Sequence, residues 1–295
     1  MGVNRQACEV LMHAERRLNV RFTRTLTLGR LQMFMRDAGL NGLVERFYPN
    51  EKDRWNAVKA DKGFAEPLFK ALGATAVDSM DYSDYEQASI IHDLNKPAPQ
   101  ELHDRFDCVV DGGTIEHVYH FPNAIRSCME MVSMGGHYIG ITPANNQMGH
   151  GFYQFSPELY FRLFCPENGF QVRAMYLGTD TEWFAVSDPK QMRERGQLMS
   201  AVALTLVVIA QRTGKVLPDF IPQQSDYESA WATVDATNTG RTLAHEPFYR
   251  LWIRKLLPVK ARTVLRNIAA LFKERVEVQG IVGTLDTAHY KRIEL

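Results

Sequence analysis

Residues 106–118 read FDCVVDGGTIEHV, and this stretch decides the fold. It begins with a short apolar run of the kind that is buried in a parallel sheet, and the run stops at Asp111, Gly112 and Gly113. A second apolar run follows within residues 135–146, which read GGHYIGITPANN and end in polar residues. Two buried strands that are joined by a helix and end in glycines and polar side chains form a βαβ unit. Ligands of such units bind at the strand tips.

Apolar runs alternate with helical patterns on both sides of this unit, which favours an α/β fold. Residues 31–60 are rich in aromatic and methionine side chains and predict a small helical insert or cap. The predicted helices are residues 4–18, 66–72, 122–134 and 156–164. The further predicted strands are residues 23–28, 76–81, 88–93, 170–177 and 198–212, the last of them antiparallel.

The order of residues 106–118, followed by a helix, a glycine pair, a strand and a Thr-Pro dipeptide, resembles the fourth and fifth strands of class I S-adenosylmethionine-dependent methyltransferases. The resemblance covers about residues 22–213. It implies a Rossmann-like, mostly parallel seven-stranded sheet with flanking helices. We therefore predict a methyltransferase-like domain over residues 1–213 and, over residues 214–295, a linker and a basic, mainly helical C-terminal extension.

The composition excludes several classes of protein. Of 295 residues, 45% are hydrophobic and 23% are charged, which is ordinary for a soluble globular protein. The formal net charge is zero, so no overall field attracts nucleic acid, and no nucleic-acid partner is expected. The N-terminal segment lacks the apolar core of a signal peptide, which favours the cytoplasm. The cysteines lack CxxC spacing and predict reduced thiols and no metal site: Cys8, Cys108, Cys128 and Cys165.

Acidic residues at the ends of two predicted strands are candidates for binding the adenosine part of a methyl donor. Asp81 ends the strand at 76–81, and a carboxylate there can accept from both ribose hydroxyls. Asp93, followed by Leu94, lies where an acceptor for the adenine amino group is expected. The alternative is that residues 81–84 form a solvated turn.

Glycine turns are candidates for the amino-acid end of the donor. Gly29 and the turn at residues 111–113 allow the backbone to approach it, and Glu116 either contacts it through water or caps the following helix. One departure from the family is clear. The usual Asp/Glu-x-Gly-x-Gly-x-Gly loop is reduced to the single Gly29, and Arg30 follows it directly.

The acceptor is expected to meet residues 145–155, which carry amides, three aromatic rings and His150 between two glycines. This mixture suits a hydroxylated or sugar-like substrate. We predict His150 as the general base and His117 as a second catalytic candidate, because histidine transfers protons near neutral pH. The alternatives are a surface role for His150 and a packed role for His117. The predicted substrate-binding residues are Asn145, Asn146 and Tyr153.

Residues 250–275 form a basic amphipathic segment with a single acid, Glu274. Such a segment either rests on an anionic membrane surface, binds an acidic partner, or docks on the domain with its basic face in water. The first two readings predict a peripheral membrane or acidic-partner contact.

The leading hypothesis is S-adenosylmethionine-dependent methyl transfer to a small-molecule or glycan acceptor, through an oxygen nucleophile. The alternative is a non-catalytic protein of the same fold that binds a partner through its strand-tip cleft or basic tail. A third hypothesis, a sugar-nucleotide enzyme, rests only on the acidic residues within 81–84.

Overall fold

A computed structural model describes residues 2–59, 63–192, 196, 198, 200–228 and 288–295. The chain divides into two compact units. The first comprises Met1–Val186, Ala203–Pro222 and Lys291–Leu295, and the second comprises Ser187–Val202 and Gln223–Tyr290. The predicted division after residue 213 stays a prediction, because most of residues 214–295 lie outside the described residues.

Eleven strands occur in the described residues. They are β1 (Gly2–Asn4), β2 (Arg24–Leu28), β3 (Gln32–Phe34), β4 (Ala76–Asp81), β5 (Ile90–Ile91), β6 (Phe106–Asp111), β7 (Val132–Asn145), β8 (Phe170–Gly178), β9 (Trp183–Val186), β10 (Leu204–Arg212) and β11 (Tyr290–Ile293). Strands β1 and β3 pair in parallel, and the other nine form one sheet in the order β11-β9-β8-β10-β7-β6-β2-β4-β5.

The large sheet is mixed. Strands β5, β4, β2, β6 and β7 run parallel to one another, whereas β10 runs antiparallel to β7 and β8, and β8 runs antiparallel to β9. The prediction of a mostly parallel, seven-stranded sheet was therefore wrong. The predicted antiparallel direction of the strand at 198–212, observed as β10, was right. The two extra strands, β9 and β11, are only four residues long, and their sequences carry too few alternating positions to be recognised.

Six α-helices occur in the described residues: α1 (Arg5–Leu18), α2 (Asp37–Phe47), α3 (Glu66–Ala71), α4 (Phe121–Met131), α5 (Pro157–Leu163) and α6 (Pro189–Met192). Two of the predicted starts are confirmed by their N-caps. The Asn4 side chain accepts from the Ala7 N–H, and the Ser156 hydroxyl accepts from the Leu159 N–H, which satisfies backbone donors that the helix leaves open.

Several element boundaries differ from the prediction, among them the start of the strand predicted at 198–212, which begins at Leu204 as β10. Helix α4 stops at Met131 because Val132 already belongs to β7, which is much longer than the predicted apolar run. The predicted strand at 88–93 is reduced to β5, since only two of its residues pair with β4. Residues 31–60 contain α2 but also β3, which pairs with β1, so the segment is helical only in part.

The predicted helical C-terminal extension lies mostly outside the described residues, including the basic segment at 250–275. Where the chain is described again, residues 290–293 form strand β11 beside β9. Helix was thus the wrong prediction for these four residues, because the open edge of β9 offers backbone hydrogen bonds that local propensity does not reveal.

The middle of the sheet is the most deeply buried part of the first unit. Cys108, Val109, Tyr138 and Ile139 on β6 and β7 are all fully buried, as expected for strands that are covered on both faces. The four cysteines are free thiols in the structure. No helix in the described part of the chain combines the length and the hydropathy that a membrane crossing requires.

Candidate active site

The site lies where the strand order of the parallel part of the sheet reverses. From β2, the chain continues to β4 on one side and later to β6 on the other, so β2 and β6 are neighbours at a switch point. Leu28 lies opposite both Met80 and Asp111. The residues that follow these three therefore emerge at one edge of the sheet, and ligands of open α/β sheets bind at this edge.

The turn after β2 is held tightly on both sides. Gly29 has φ of 71°, and its N–H donates to the Met80 carbonyl at 2.6 Å. The Thr114 hydroxyl donates to the Leu28 carbonyl at 2.7 Å and so ties the end of β2 to the turn after β6. Gly29 thus lies at the switch point; its predicted contact with a methyl donor stays a prediction.

Arg30 carries a charge that is paired within the protein. Its Nε lies 2.6 Å from Glu66 Oε1, its Nη1 donates to the Glu86 carbonyl at 3.0 Å, and its guanidinium lies 3.8 Å above the Phe64 ring. The charge that the sequence places next to Gly29 is therefore neutralised by Glu66.

The next residue, Leu31, lies against the turn after β6. It is buried, and a Cβ added at Gly112 would come within 3.0 Å of its methyl groups. A side chain at Gly112 would therefore crowd Leu31, which forms an apolar wall beside the switch point.

The two predicted adenosine-binding acids differ in how they are engaged. Asp81 is half-buried at the end of β4; its Oδ1 accepts from the Tyr82 N–H at 2.7 Å, and its Oδ2 has no partner among the described residues. Asp93 accepts from both the side chain and the backbone N–H of Asn95, and these bonds lower its pKa. Leu94 beside it is buried. Asp81 is available to a ligand, whereas Asp93 also orders its own loop.

Asp111 is fully buried, and both of its carboxylate oxygens accept hydrogen bonds. Its Oδ1 accepts from the Thr114 N–H at 2.8 Å, and the Tyr138 hydroxyl donates to its Oδ2 at 3.1 Å. Burial raises its pKa. The carboxylate therefore fixes the turn of Gly112 and Gly113 against β7, and the part of this segment open to a ligand is the glycine backbone.

Three predicted site residues meet in one cluster: the neighbours Glu116 and His117, and the distant His150. Glu116 is fully buried in a short 3-10 turn, Ile115–His117, while the side chains of His117 and His150 are 47% and 53% exposed. Nε2 of His150 lies 3.2 Å from Glu116 Oε1, and Nε2 of His117 lies 4.0 Å from the same oxygen. The two imidazole rings are 5.2 Å apart.

The loop after β7 builds this cluster by closing over Glu116. The Glu116 carbonyl accepts from the N–H groups of Phe152 and Tyr153, and a Cβ at Gly151 would come within 2.9 Å of that carbonyl oxygen. Gly151, with φ of 77°, is therefore required both by its backbone angle and by contact. This packing brings His150 onto the carboxylate.

The buried carboxylate of Glu116 is electrostatically unusual. Burial raises its pKa, and the negative charge of Asp111 raises it further. Its Oε2 has no hydrogen-bond partner among the described residues. Burial also lowers the pKa of His117, and His150 adds to this effect. An acid that is costly to ionise thus lies against two half-exposed histidines, and such perturbed groups cluster at functional sites.

The predicted substrate residues in this loop are mainly committed to its shape. Asn145 ends β7 and accepts the Asn146 N–H at 3.0 Å, so the two form the turn out of the strand. The Tyr153 hydroxyl donates to the Tyr119 carbonyl at 2.7 Å, and its ring stacks on Phe155.

Two exposed aromatic residues follow His117 and His150 in the sequence, each by two positions. Tyr119 and Phe152 are each 70% exposed and meet edge to face, with ring centroids 6.5 Å apart. Phe152 is one of the three rings that the sequence led us to expect near the acceptor, whereas Tyr119 was not among the predicted substrate residues. The sequence pointed to Tyr119 only through its position two residues after His117, and this position indicates a substrate contact only once the fold is known.

Comparison with known proteins finds similarity among solved structures. No protein-family model matches the chain, and no curated protein matches its sequence. The branched-chain polyamine synthase from Thermus thermophilus has a TM-score of 0.37 and 11% identity, covering 75% of this chain and 58% of its own. This chain thus spans less than two thirds of that protein.

Two methyltransferases are similar to the same degree. The 1,6-didemethyltoxoflavin-N1-methyltransferase from Burkholderia thailandensis has a TM-score of 0.36 and 12% identity, covering 71% of this chain and 78% of its own. The N-methyltransferase NodS from Bradyrhizobium japonicum WM9 has a TM-score of 0.35 and 10% identity, covering 70% and 95%. With TM-scores of 0.37 or less, these similarities do not indicate what this protein does.

Proposed function

We propose that this protein is an S-adenosylmethionine-dependent methyltransferase that acts on a small or sugar-containing acceptor through an oxygen nucleophile. The observation that carries the proposal is the convergence of Gly29, Asp81 and Gly112 at one edge of the sheet, with the cluster of Glu116 and His150 in the same region. A switch point of parallel strands is where such folds bind nucleotide-like ligands.

The residues on the donor side fit S-adenosylmethionine, which supplies a methyl group activated by a sulfonium. The open Oδ2 of Asp81 can accept from the ribose hydroxyls. The backbone of Gly112 and Gly113 lets the amino-acid end approach closely; Gly113 has φ of 94°, which favours glycine. Asp93 and Leu94 line the loop expected at the adenine.

The residues on the acceptor side suit a hydroxyl nucleophile. As the acceptor oxygen bonds to the methyl carbon and the carbon–sulfur bond breaks, the hydroxyl proton passes to His150, which Glu116 orients through the 3.2 Å contact between His150 Nε2 and Glu116 Oε1. His117 is the second catalytic candidate, since its Nε2 lies 4.0 Å from the same oxygen of Glu116. The rings of Tyr119 and Phe152 are placed to stack on carbon faces of the acceptor, while Asn145, Asn146 and Tyr153 border it.

Asp81→Ala is expected to weaken binding of S-adenosylhomocysteine about tenfold or more, since a hydrogen bond to a charged group contributes about 1.5–3 kcal/mol. Isothermal titration calorimetry on the full chain measures this affinity. Asp84→Ala is the matched control, because Asp84 is exposed in the same loop. Equal effects of the two substitutions would contradict the role of Asp81. No binding to folded wild-type protein at millimolar ligand would favour the non-catalytic alternative.

His150→Ala is expected to slow methyl transfer about 100-fold while leaving the affinity for S-adenosylhomocysteine unchanged, because general-base catalysis contributes about 10²–10⁴-fold. Release of S-adenosylhomocysteine in the presence of a panel of hydroxylated acceptors measures the rate. The exposed His120→Ala is the control. A rate equal to that of the wild type would remove His150 from the mechanism.

A further inference from the structure

The cluster of Glu116, His117 and His150 has the composition of a metal site. One carboxylate oxygen and two imidazole nitrogens all lie within 4.8 Å of one another. Glu116 is fully buried and has an Oε2 with no hydrogen-bond partner among the described residues. Burying a carboxylate oxygen without a hydrogen-bond partner costs free energy, and a cation bound by the carboxylate offsets that cost.

We propose that Glu116, His117 and His150 bind one divalent first-row transition-metal ion, of the class of Zn²⁺ or Co²⁺. Two imidazoles and one carboxylate are a known ligand set for such ions, whereas Mg²⁺ and Ca²⁺ prefer oxygen ligands throughout.

The geometry needs little adjustment to accept the ion. Metal–ligand bonds of roughly 2.0–2.2 Å in a tetrahedral arrangement place ligand atoms roughly 3.4 Å apart. The distance of 3.2 Å from His150 to Glu116 already meets this spacing, and the 4.0 Å from His117 to the same carboxylate is slightly too long. The two half-exposed rings can rotate by this amount, whereas Glu116 is held by the loop that closes over it.

Three protein ligands leave at least one coordination position open, as in catalytic rather than structural sites. Both histidine rings are about half exposed, so the open position is accessible from solvent. The catalytic consequence rests on the proposed function. In the metal-free protein His150 acts as the base, as proposed above. With the ion bound, both histidines would be ligands, and the ion would lower the pKa of an acceptor hydroxyl at the open position, whose proton would pass to water.

Calorimetric titration of the full-length, chelator-treated protein with Zn²⁺ tests the proposal, and visible absorption of bound Co²⁺ is a second readout. We expect one ion per chain, and we expect His117→Ala and His150→Ala each to weaken binding at least tenfold. His120→Ala is the matched control, since this exposed ring lies three residues from His117 and outside the cluster. Glu116→Gln preserves the size of the buried side chain and is also expected to weaken binding.

Equal affinity in the wild type and the His117→Ala/His150→Ala double variant would overturn the proposal, as would an equal loss in His120→Ala. The side chains of His117 and His150 are about half exposed, and circular dichroism of each variant checks that it is folded. Binding of S-adenosylhomocysteine to the chelator-treated protein is measured in parallel. Donor binding without metal binding defeats this inference alone, and metal binding without donor binding defeats the proposed function alone.

Discussion

Asp111→Leu is expected to lower the free energy of unfolding by about 2–6 kcal/mol, because it leaves two hydrogen-bond donors without an acceptor. Leucine accepts no hydrogen bond, so it leaves the Thr114 N–H and the fully buried Tyr138 hydroxyl without their acceptor. Each unsatisfied buried donor costs about 1–3 kcal/mol. Urea unfolding followed by circular dichroism measures the loss.

Asp111→Asn is the matched control for this substitution. Its carbonyl oxygen can still accept from the Thr114 N–H, and its amide can donate to the Tyr138 oxygen, since a phenol both donates and accepts. We expect a loss of less than about 1.5 kcal/mol, the net value of an ordinary hydrogen bond. Similar losses in the two variants would show that the hydrogen bonds of Asp111 do not stabilise this turn.

Acidification from pH 7 to pH 4 is expected to remove about 6 kcal/mol of stability through two buried histidines, about 3 kcal/mol from each. Burial, aided by nearby arginines, lowers the pKa of His13 and of His137 from 6.5 to about 4. Between pH 6.5 and about 4, His13 and His137 are therefore protonated in the unfolded chain but mostly neutral in the folded protein. Stability falls as the pH falls from 6.5 to about 4 and does not change from this cause above pH 7.

The double variant His13→Gln/His137→Gln tests this origin of acid sensitivity. Neither glutamine titrates, so the urea midpoint is expected to depend much less on pH between 7 and 5 than in the wild type. Each single variant is expected to remove about half of the dependence, because the two residues lie in different elements, α1 and β7. Parallel pH curves for the wild type and the double variant would contradict the assignment.

Much of the fold was predictable because its signals are local. The strands β2, β4, β6 and β8 follow from apolar runs bounded by glycine or polar residues, and α5 follows from Ser156 and Pro157 at its start. The short strands β9 and β11 were not predictable, since their residues pair with partners far away in the sequence. The same holds for the mixed character of the sheet.

The candidate site was predictable in its residues but not in its arrangement. Glu116, His117 and His150 each stand after a predicted strand, so the sequence identified them as site residues. It predicted no metal site, because the ligands lack any regular spacing: His150 lies 34 positions from Glu116. Only the closure of the loop over Glu116, which Gly151 permits, brings the three side chains together.

The sequence by itself determined which segments become buried strands and that polar and glycine residues follow them, because periodicity and turn chemistry are properties of neighbouring residues. Tertiary structure alone decided that Asp111 is an interior acceptor for Tyr138 and that Asp81 keeps an open oxygen. It also decided that an acid and two histidines form one cluster. Burial and distance depend on which strands become neighbours, and strand order is set by contacts between residues far apart in the chain.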